Sequence, residues 1–475
     1  MVFIHLRLFC DISEGFSVHL ANVIYIETTL GGTYLSNLNW NGFENYLTQK
    51  MKENHIPGCA VAVYLNGEII YKNGFGYRDM ITKRPVTPET IFGIASITKS
   101  FTALAIMRLE EAGFLSIEDP VIKHLPEFNL IGLKDMSQIK IYHLLTHTVG
   151  LAPMFRREEL KKLKHHVVYL SEKEYERLGE PGEYFSYCND TFLLLGAIIE
   201  KYTGKLYRRY VTESILNPLK MYRSTLSIDE LGKYENVSVP YDYNKKTGQL
   251  EEKPWPKLGN YEIGGGIRST VLDLLDYGQV FINGGEQLVS EETVKKMWQN
   301  SIKIINNTYY GYALQVTPNY ANSTLVEHGG GQPGVSSHFG FVPEQKLIVS
   351  VLCNVSNVPA DEIWLAAVNT ALGQPMDKQR CLEPSFEISP ERLEKFLGTY
   401  DSSEGGKATI FLENGKPMLE VNEETYALRA SNDHTLVIEM NERPITFYLD
   451  GDDQAWAILL GFRMLTRKKS WVPGT

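Results

Sequence analysis

The chain has 475 residues, of which 43% are hydrophobic and 22% charged, a composition typical of a globular protein with two or three domains. Its net charge of −10 at pH 7 disfavours nucleic acid as a partner, and no run approaches the roughly 18 apolar residues of a membrane span. The five cysteines lack Cys-x-x-Cys spacing, and no histidine–cysteine cluster has metal-site spacing. We therefore expect a cytoplasmic protein without metal, cofactor or membrane span.

The N-terminal part of the chain predicts an extension, a helix and a hairpin. Residues 1–37 are interpreted as a peripheral extension, because their apolar start lacks the basic region and cleavage site of a signal peptide. An amphipathic pattern predicts a helix over Asn41–Asn54. Two apolar runs, Cys59–Leu65 and Glu68–Tyr71, flank Asn66-Gly67, which is a strong hairpin signal.

A serine and a lysine three residues apart begin the strongly apolar segment that follows the hairpin. Ser96 precedes a segment that predicts a helix ending at Gly113 and buried on all sides, and Lys99 lies one turn after Ser96. Burial would lower the pKa of Lys99 and let it activate the Ser96 hydroxyl as a nucleophile. The alternative is that Ser96 only caps the helix and Lys99 reaches the surface. Ser137 and Lys140 have the same spacing without a long apolar helix, so spacing alone does not decide.

The middle of the chain predicts helices between two groups of strands. Residues 115–235 have mostly helical patterns, and Gly264–Gly266 leads into a helix that Ser269 or Thr270 would cap. Strands are predicted at Tyr309–Gln315, Thr324–His328, Ser337–Val342 and Leu347–Cys353, followed by a helix from Ala360 to Leu372. One antiparallel sheet built from both ends of this region, with an inserted all-helical lobe, explains the pattern. A site is expected where lobe and sheet meet.

Short alternating runs fill the C-terminal part of the chain, after a polar linker at 373–390. They are separated by turn signals such as Asn414-Gly415 and Asp450-Gly451. This pattern predicts a separate antiparallel sheet or small barrel. The predicted strands are Ala408–Leu412, Met418–Val421, Thr435–Met440, Ile445–Leu449 and Ala455–Leu460.

Two further motifs could line the predicted site. Tyr187 and Asn189 follow a Gly-Pro turn and precede an apolar helix, a setting in which a short loop can project a phenol and an amide into a cleft. A packed tyrosine without catalytic function explains the same residues equally well. His147, among leucines, is interpreted as a buried structural histidine rather than a base.

Two stretches compete as the strand that borders the site. Lys246-Thr247-Gly248 lies in a polar turn with no strand of its own, whereas His328-Gly329-Gly330 ends a predicted strand. Glycines there would let a substrate backbone approach and would expose N–H donors. We therefore favour His328-Gly329-Gly330 as the strand at the site, although a plain loop is the simpler interpretation of the glycine run.

Together, Ser96-x-x-Lys99, Tyr187-x-Asn189 and His328-Gly329-Gly330 resemble, in order and spacing, the motifs of serine β-lactamases and penicillin-binding-protein-like hydrolases. The resemblance covers about residues 38–372 and is nearest to the class C β-lactamase, D-stereospecific peptidase and esterase branch. It implies an α/β (α+β) fold: an antiparallel sheet flanked by helices, with an inserted helical lobe, over 38–375. Residues 388–475 resemble the lipocalin-like β-barrel that follows this domain in some members.

The resemblance also implies roles and a reaction. Ser96 would be the acylated nucleophile, Lys99 and Tyr187 would share proton transfer, and Asn189 would hold the substrate amide or the lysine. His328, Gly329 and Gly330 would line the substrate, and the N–H groups of Ser96 and Gly331 would form the oxyanion hole. Because β-lactamases carry Lys-Thr-Gly where this chain has His328-Gly329-Gly330, a hydrolase of small D-amino-acid peptides, amides or esters is favoured.

Other functions stay open on the sequence alone. One alternative is a β-lactamase or penicillin-binding protein with weak turnover, and another is a non-catalytic binding scaffold of the same fold. The expected partner is a small molecule or short peptide, and a homo-oligomer is compatible with the sequence.

Overall fold

The computed structural model describes residues 38–172, 174–299 and 301–468. The predicted extension at 1–37 lies outside the described residues. The α-helices are α1 (Trp40–Glu53), α2 (Thr98–Glu111), α3 (Val121–His124), α4 (Ile141–Leu145), α5 (Leu163–Ser171), α6 (Asn189–Thr203), α7 (Tyr207–Val211), α8 (Ile228–Leu231), α9 (Glu262–Gly265), α10 (Val271–Ile282), α11 (Glu291–Gln299), α12 (Ala360–Ala371) and α13 (Pro390–Glu394).

The strands divide between an N-terminal and a C-terminal group. The first group comprises β1 (Gly58–Leu65), β2 (Glu68–Asp79), β3 (Arg84–Pro85), β4 (Phe92–Gly93), β5 (Tyr241–Asn244), β6 (Gln249–Glu252), β7 (Arg268–Ser269), β8 (Ile302–Ile305), β9 (Thr308–Tyr310), β10 (Gln315–Tyr320), β11 (Ser323–Gln332), β12 (Val335–Val342) and β13 (Leu347–Cys353). The second comprises β14 (Gly398–Asp401), β15 (Lys407–Glu413), β16 (Lys416–Val421), β17 (Glu424–Asn432), β18 (Thr435–Ile438), β19 (Arg443–Leu449), β20 (Ala455–Leu460) and β21 (Arg463–Arg467).

A nine-stranded sheet joins the two ends of the N-terminal group, in the order β3-β2-β1-β13-β12-β11-β10-β9-β8. Strand β1 pairs antiparallel with β13, which confirms the prediction of one sheet built from distant segments. Alternate residues of β1 enter different cores: Ala60 and Ala62 belong to the core that contains α10, whereas Val61 and Val63 pack with α12. This is the alternation expected of a strand that is covered on both faces.

Helix α2 runs through the core between the sheet and the helical lobe. Every residue from Thr98 to Met107 is buried, as the apolar pattern predicted. The tyrosine Tyr277 of α10 stacks on Phe101 with ring centroids 3.6 Å apart, and Phe192 of α6 joins the same core. Thr270 caps α10 by accepting a hydrogen bond from the Asp273 N–H at 3.0 Å, one of the two predicted caps.

The C-terminal strands close into an eight-stranded antiparallel barrel, β14 to β21, which we call the barrel. Phe396, Tyr400 and Phe447 are among the aromatic residues in its core. The sequence signal missed β14, β17 and β21, in which polar side chains such as Arg429 and Arg463 interrupt the apolar alternation. The predicted domain limits, 38–375 and 388–475, stay predictions.

One predicted strand is a hairpin. The segment Tyr309–Gln315 divides into the end of β9 and the start of β10, and Gln315 pairs back with Tyr310. The Gly311 N–H donates to the Leu314 carbonyl at 2.7 Å and closes the turn. A side chain on Gly311 would lie 2.2 Å from the Met297 carbonyl oxygen, so glycine is required there.

Candidate active site

Ser96 lies in a short 3₁₀ turn, Ala95–Ile97, that leads directly into α2. Ser96 is half-buried, whereas its neighbours on both sides are buried. Strand β11 passes against this turn at Gly330. A Cβ on Gly330 would lie 2.3 Å from the Ile94 carbonyl oxygen, so only glycine allows the strand this near the serine.

Lys99 points from α2 toward Ser96 and is surrounded by oxygen atoms. Its Nζ lies 3.4 Å from Ser96 Oγ, 2.9 Å from Asn189 Oδ1 and 3.0 Å from the Gly264 carbonyl oxygen. Only 1% of the residue is exposed. Burial lowers the pKa of Lys99 well below its usual value, and the positive charges of Arg156 and Arg463 lower it further.

The absence of a side chain at Gly264 leaves room for Lys99. A Cβ at this position would lie 2.7 Å from Lys99 Nζ and 3.3 Å from its Cε. The glycine run at 264–266 therefore leaves room for the lysine as well as leading into α10. The sequence indicated the helix but not this contact, because the two residues are far apart in the chain.

Tyr187 is buried beside the Lys99 amine. Lys99 Nζ is 4.9 Å from the centroid of its ring. Burial raises the pKa of Tyr187, and the nearby Ser96 hydroxyl partly opposes that rise. Within the described residues, Tyr187 Oη makes no hydrogen bond of regular geometry. A neutral phenol thus faces the serine with its proton available.

His147 accepts hydrogen bonds from the backbone of the loop that carries Tyr187 and Asn189. The Cys188 N–H donates to His147 Nδ1 at 3.3 Å, and the Ser186 N–H donates to the His147 carbonyl at 2.9 Å. The imidazole is 1% exposed and packs 4.1 Å from the Tyr187 ring. These contacts favour the structural interpretation of this histidine.

Strand β11 places His328, Gly329, Gly330 and Gly331 beside Ser96, and these residues differ in how far they are exposed. His328 is 6% exposed, and its Nε2 lies 2.9 Å from Tyr310 Oη. Burial and the Lys99 charge lower the pKa of His328 to about 3, so the imidazole is neutral. The pairing of β11 with β10 ends at the Gln315–Glu327 pair, and Gly331 is exposed. The glycines, rather than the imidazole, therefore border open space.

The Lys-Thr-Gly stretch lies elsewhere in the fold. Lys246, Thr247 and Gly248 are exposed and form the turn between β5 and β6, a two-stranded hairpin separate from the nine-stranded sheet. The prediction that this turn has no strand of its own is wrong, because two short strands flank it. The two strands are only four residues long and mostly polar, so the sequence showed the turn at Asn244, whose side chain accepts the Lys246 N–H, but not the hairpin.

Two charged residues of the barrel also reach the site, and sequence reasoning missed both. Asn189 Nδ2 donates to Glu404 Oε1 at 3.2 Å, and Arg463 Nε donates to Glu404 Oε2 at 2.5 Å. Glu404 lies in a Ser-Ser-Glu-Gly-Gly loop and Arg463 starts a strand. No local signal in either segment indicates a partner more than 200 residues away in the chain.

The fold and these contacts define a serine-hydrolase-type centre of the β-lactamase class. A family model described as beta-lactamase matches residues 43–372, and the chain belongs to this family. It is 27% identical to "Penicillin-binding protein 4*" of Bacillus subtilis over 401 residues, which cover 79% of the chain and 86% of that protein.

Solved structures show the same architecture. The octameric penicillin-binding protein homologue from Pyrococcus abyssi is 30% identical, with a TM-score of 0.68 over 90% of this chain and 100% of that chain. A D-stereospecific amidohydrolase from Streptomyces sp. has a TM-score of 0.56 at 22% identity, over 66% of this chain and 93% of that chain. The second likeness is one of fold alone. In the described part of this chain, no helix combines the length and apolar character needed to cross a membrane.

Proposed function

We propose that this protein is a serine hydrolase in which Ser96 forms an acyl-enzyme with small amide or ester substrates. The observation that carries the proposal is the buried amine of Lys99, 3.4 Å from Ser96 Oγ. Its lowered pKa makes the neutral amine accessible at moderate pH, so that it can accept the serine proton. Lys140, the half-buried lysine of the other Ser-x-x-Lys stretch, has no comparable environment.

Acylation divides the proton transfers between two residues with opposite pKa shifts. Ser96 Oγ attacks the substrate carbonyl carbon, and its proton passes to Lys99 Nζ. As the bond to the leaving group breaks, Tyr187, whose raised pKa keeps it protonated, supplies a proton to the departing nitrogen or oxygen and regains one from Lys99. Water then attacks the Ser96 ester, which releases the acid and restores the hydroxyl.

Charge that develops on the carbonyl oxygen needs N–H donors. The Ser96 N–H, at the start of a helical segment, and the Gly331 N–H on β11 are the proposed donors. Beyond Glu327, β11 has no pairing with β10 among the described residues, which leaves this side of the strand open to a substrate. Gly329 and Gly330 give that substrate close access to the strand.

We infer that the substrates are small D-amino-acid peptides, amides or esters. The first residue of the His-Gly-Gly motif on β11 is a buried neutral histidine, His328, in the position where β-lactamases carry a lysine for the substrate carboxylate. Strong penicillinase activity is therefore disfavoured. A D-aminoacyl p-nitroanilide, its L enantiomer and nitrocefin, assayed in parallel, separate the amidase from the weak β-lactamase.

The decisive test is intact mass after incubation with a fluorophosphonate or penicillin probe. We expect one adduct per chain on wild type and none on Ser96→Ala. Ser137→Ala provides the matched control and should label like wild type. A folded wild-type protein without adduct from either probe would favour the binding scaffold instead.

A further inference from the structure

The barrel touches the peptide segment that carries Tyr187. The Tyr187 N–H donates to the Phe462 carbonyl at 2.7 Å, and the Met464 N–H donates to Ser186 Oγ at 3.1 Å. Phe462 lies in the tight connection from β20 to β21, and Met464 is the second residue of β21. The peptide segment around Tyr187 is thus hydrogen-bonded both to the barrel and to His147.

Apolar contacts fix the barrel against this segment. Tyr187 and Phe185 share a buried cluster with Ala457, Leu459 and Met464 of the barrel. At the edge of this cluster, Tyr184 packs edge-on against Tyr448 and Trp456, with ring centroids 5.3 and 5.6 Å away. A buried apolar contact of this kind stabilises one docked arrangement rather than a range of orientations.

A charged pair of the barrel adjoins the two polar residues of the segment. Glu404 accepts from Asn189 and from Arg463, and Arg463 Cζ lies 5.1 Å from the centre of the Tyr187 ring. Because Lys99 donates to the oxygen of the same asparagine, the Asn189 amide is held at both ends. The Glu404 side chain is only 16% exposed, so this hydrogen bond is shielded from water.

We propose that Glu404 and Arg463 are positioning residues of the active site, which is complete only with the barrel docked. Glu404 orients the Asn189 amide, and through it the lysine. Arg463 holds Glu404 and packs over the Tyr187 ring. The proposal rests on the serine-hydrolase function proposed above, because these residues position groups of that reaction.

The two charges have opposite effects on the titration of the site. Arg463 lowers the pKa of Lys99 and of Tyr187, whereas Glu404 raises both. Removing one charge should therefore shift the pH profile one way, and removing the other should shift it the opposite way. Other charged or titratable groups around this centre include Arg156, His147, Cys188, Asp190 and His328.

The test measures kcat, KM and the pH profile of the full chain with a hydrolysed D-aminoacyl p-nitroanilide. Variants are Glu404→Gln, Arg463→Gln and Arg463→Lys. Glu424→Gln is the matched control. Glu424 is also a glutamate of the barrel, and it pairs with Lys245, a residue outside the barrel, at an exposed site. We expect kcat to fall about 10- to 100-fold in the Gln variants, as for a small misplacement of reacting groups.

The pH profile separates positioning from simple destabilisation. The midpoint of the rising limb should move to higher pH in Arg463→Gln and to lower pH in Glu404→Gln. It should stay near the wild-type value in Arg463→Lys, which keeps the charge, and in Glu424→Gln. Loss of fold would lower activity without opposite shifts, and circular dichroism of each variant monitors this.

Failure of the positioning role and failure of the proposed function give different results. A wild type that forms the Ser96 adduct and hydrolyses substrate, with both Gln variants within twofold of it and unshifted, overturns the positioning role alone. A wild type that forms no adduct overturns the proposed function and this inference with it. Opposite shifts with reduced kcat support both.

Discussion

Two Ser-x-x-Lys stretches in this chain both begin in a short 3₁₀ turn but have opposite surroundings. The first continues directly into α2, whereas the backbone at Ile139 and Lys140 is extended. Ser96 is the middle residue of the 3₁₀ turn Ala95–Ile97, and Ser137 is the middle residue of the 3₁₀ turn Met136–Gln138. Lys99 is 1% exposed, whereas the side chain of Lys140 is 38% exposed and lies 3.5 Å from Glu118. Spacing and turn type therefore do not create a reactive pair.

The surroundings determine what each serine can do. Ser137 Oγ donates a hydrogen bond to Asp135 Oδ1 at 2.6 Å, a surface contact that directs the hydroxyl proton to a carboxylate. Ser96 instead faces a buried amine whose other neighbours are the Asn189 and Gly264 oxygens. A long apolar helix after the tetrad is what distinguishes the two in the sequence, because it carries the lysine into the core.

Removal of the reactive groups should give the largest difference between the two stretches. Ser96→Ala or Lys99→Met is expected to lower kcat/KM about 10⁴-fold or more, since groups that act as a unit lose most of their effect together. Ser137→Ala and Lys140→Met should stay within twofold of wild type. Comparable losses in both pairs of variants would mean that the Ser96 tetrad has no special chemical role.

The phenol beside the first stretch gives the next largest effect. Tyr187→Phe keeps the ring contacts with His147 and Lys99 but removes the proton that we assign to the leaving group. We expect kcat to fall about 10²- to 10³-fold for an amide, the range of a general acid. An activated ester, whose leaving group needs no proton, serves as the control and should lose much less. Equal losses on both substrates would contradict the acid role.

The glycine that faces Lys99 gives a smaller effect. In Gly264→Ala the new methyl group would meet Lys99 Nζ at 2.7 Å, and the flexible end of the lysine can move away from it. The fold should survive while kcat falls about 10- to 100-fold, because the amine leaves its place beside Ser96. Gly265→Ala is the control, with its nearest neighbour 3.7 Å from the new carbon. Unchanged kcat in Gly264→Ala would show that the lysine position is not critical.

Patterns that depend on neighbouring residues were readable from the sequence. The Asn66-Gly67 hairpin, the buried helix α2 and the Thr270 cap follow from local periodicity and turn chemistry. The joining of β1 to β13 followed from strands at both ends of a helical segment. Each of these features is encoded within a few residues or in the order of the elements.

Contacts between distant segments were not readable. Glu404 reaches Asn189, and Arg463 reaches the Tyr187 ring, only because eight strands close into a barrel that docks on the 184–187 segment. The alternation of polar and apolar residues does not encode that docking. The division of Tyr309–Gln315 was missed for a similar reason. Its turn depends on Gly311 lying against the Met297 carbonyl, a tertiary contact.

Two aspartates, one beside each stretch, extend the comparison to stability. Asp190 is buried next to Asn189 and accepts a hydrogen bond from Tyr261 Oη at 2.5 Å, and burial raises its pKa to about 7. Asp135 is exposed, and its hydrogen bonds from Ser137 lower its pKa. Because the pKa of Asp190 is higher in the folded than in the unfolded protein, the folded state is most stable at low pH, where Asp190 is protonated. This contribution to stability is lost as pH rises from about 4 through 7.

Asp190→Asn removes that titration, so its melting temperature relative to wild type should rise between pH 4 and pH 7 and level off above pH 7. The free energy involved is at most about 4 kcal/mol, because one pKa unit corresponds to about 1.4 kcal/mol. The side-chain amide oxygen can still accept a hydrogen bond from Tyr261 Oη, so the change isolates the charge. Asp135→Asn should show only a small difference of opposite sign, lost as pH falls. Differential scanning calorimetry at several pH values measures both, and a flat Asp190→Asn difference would show that this carboxylate is ionised at no cost in the folded protein.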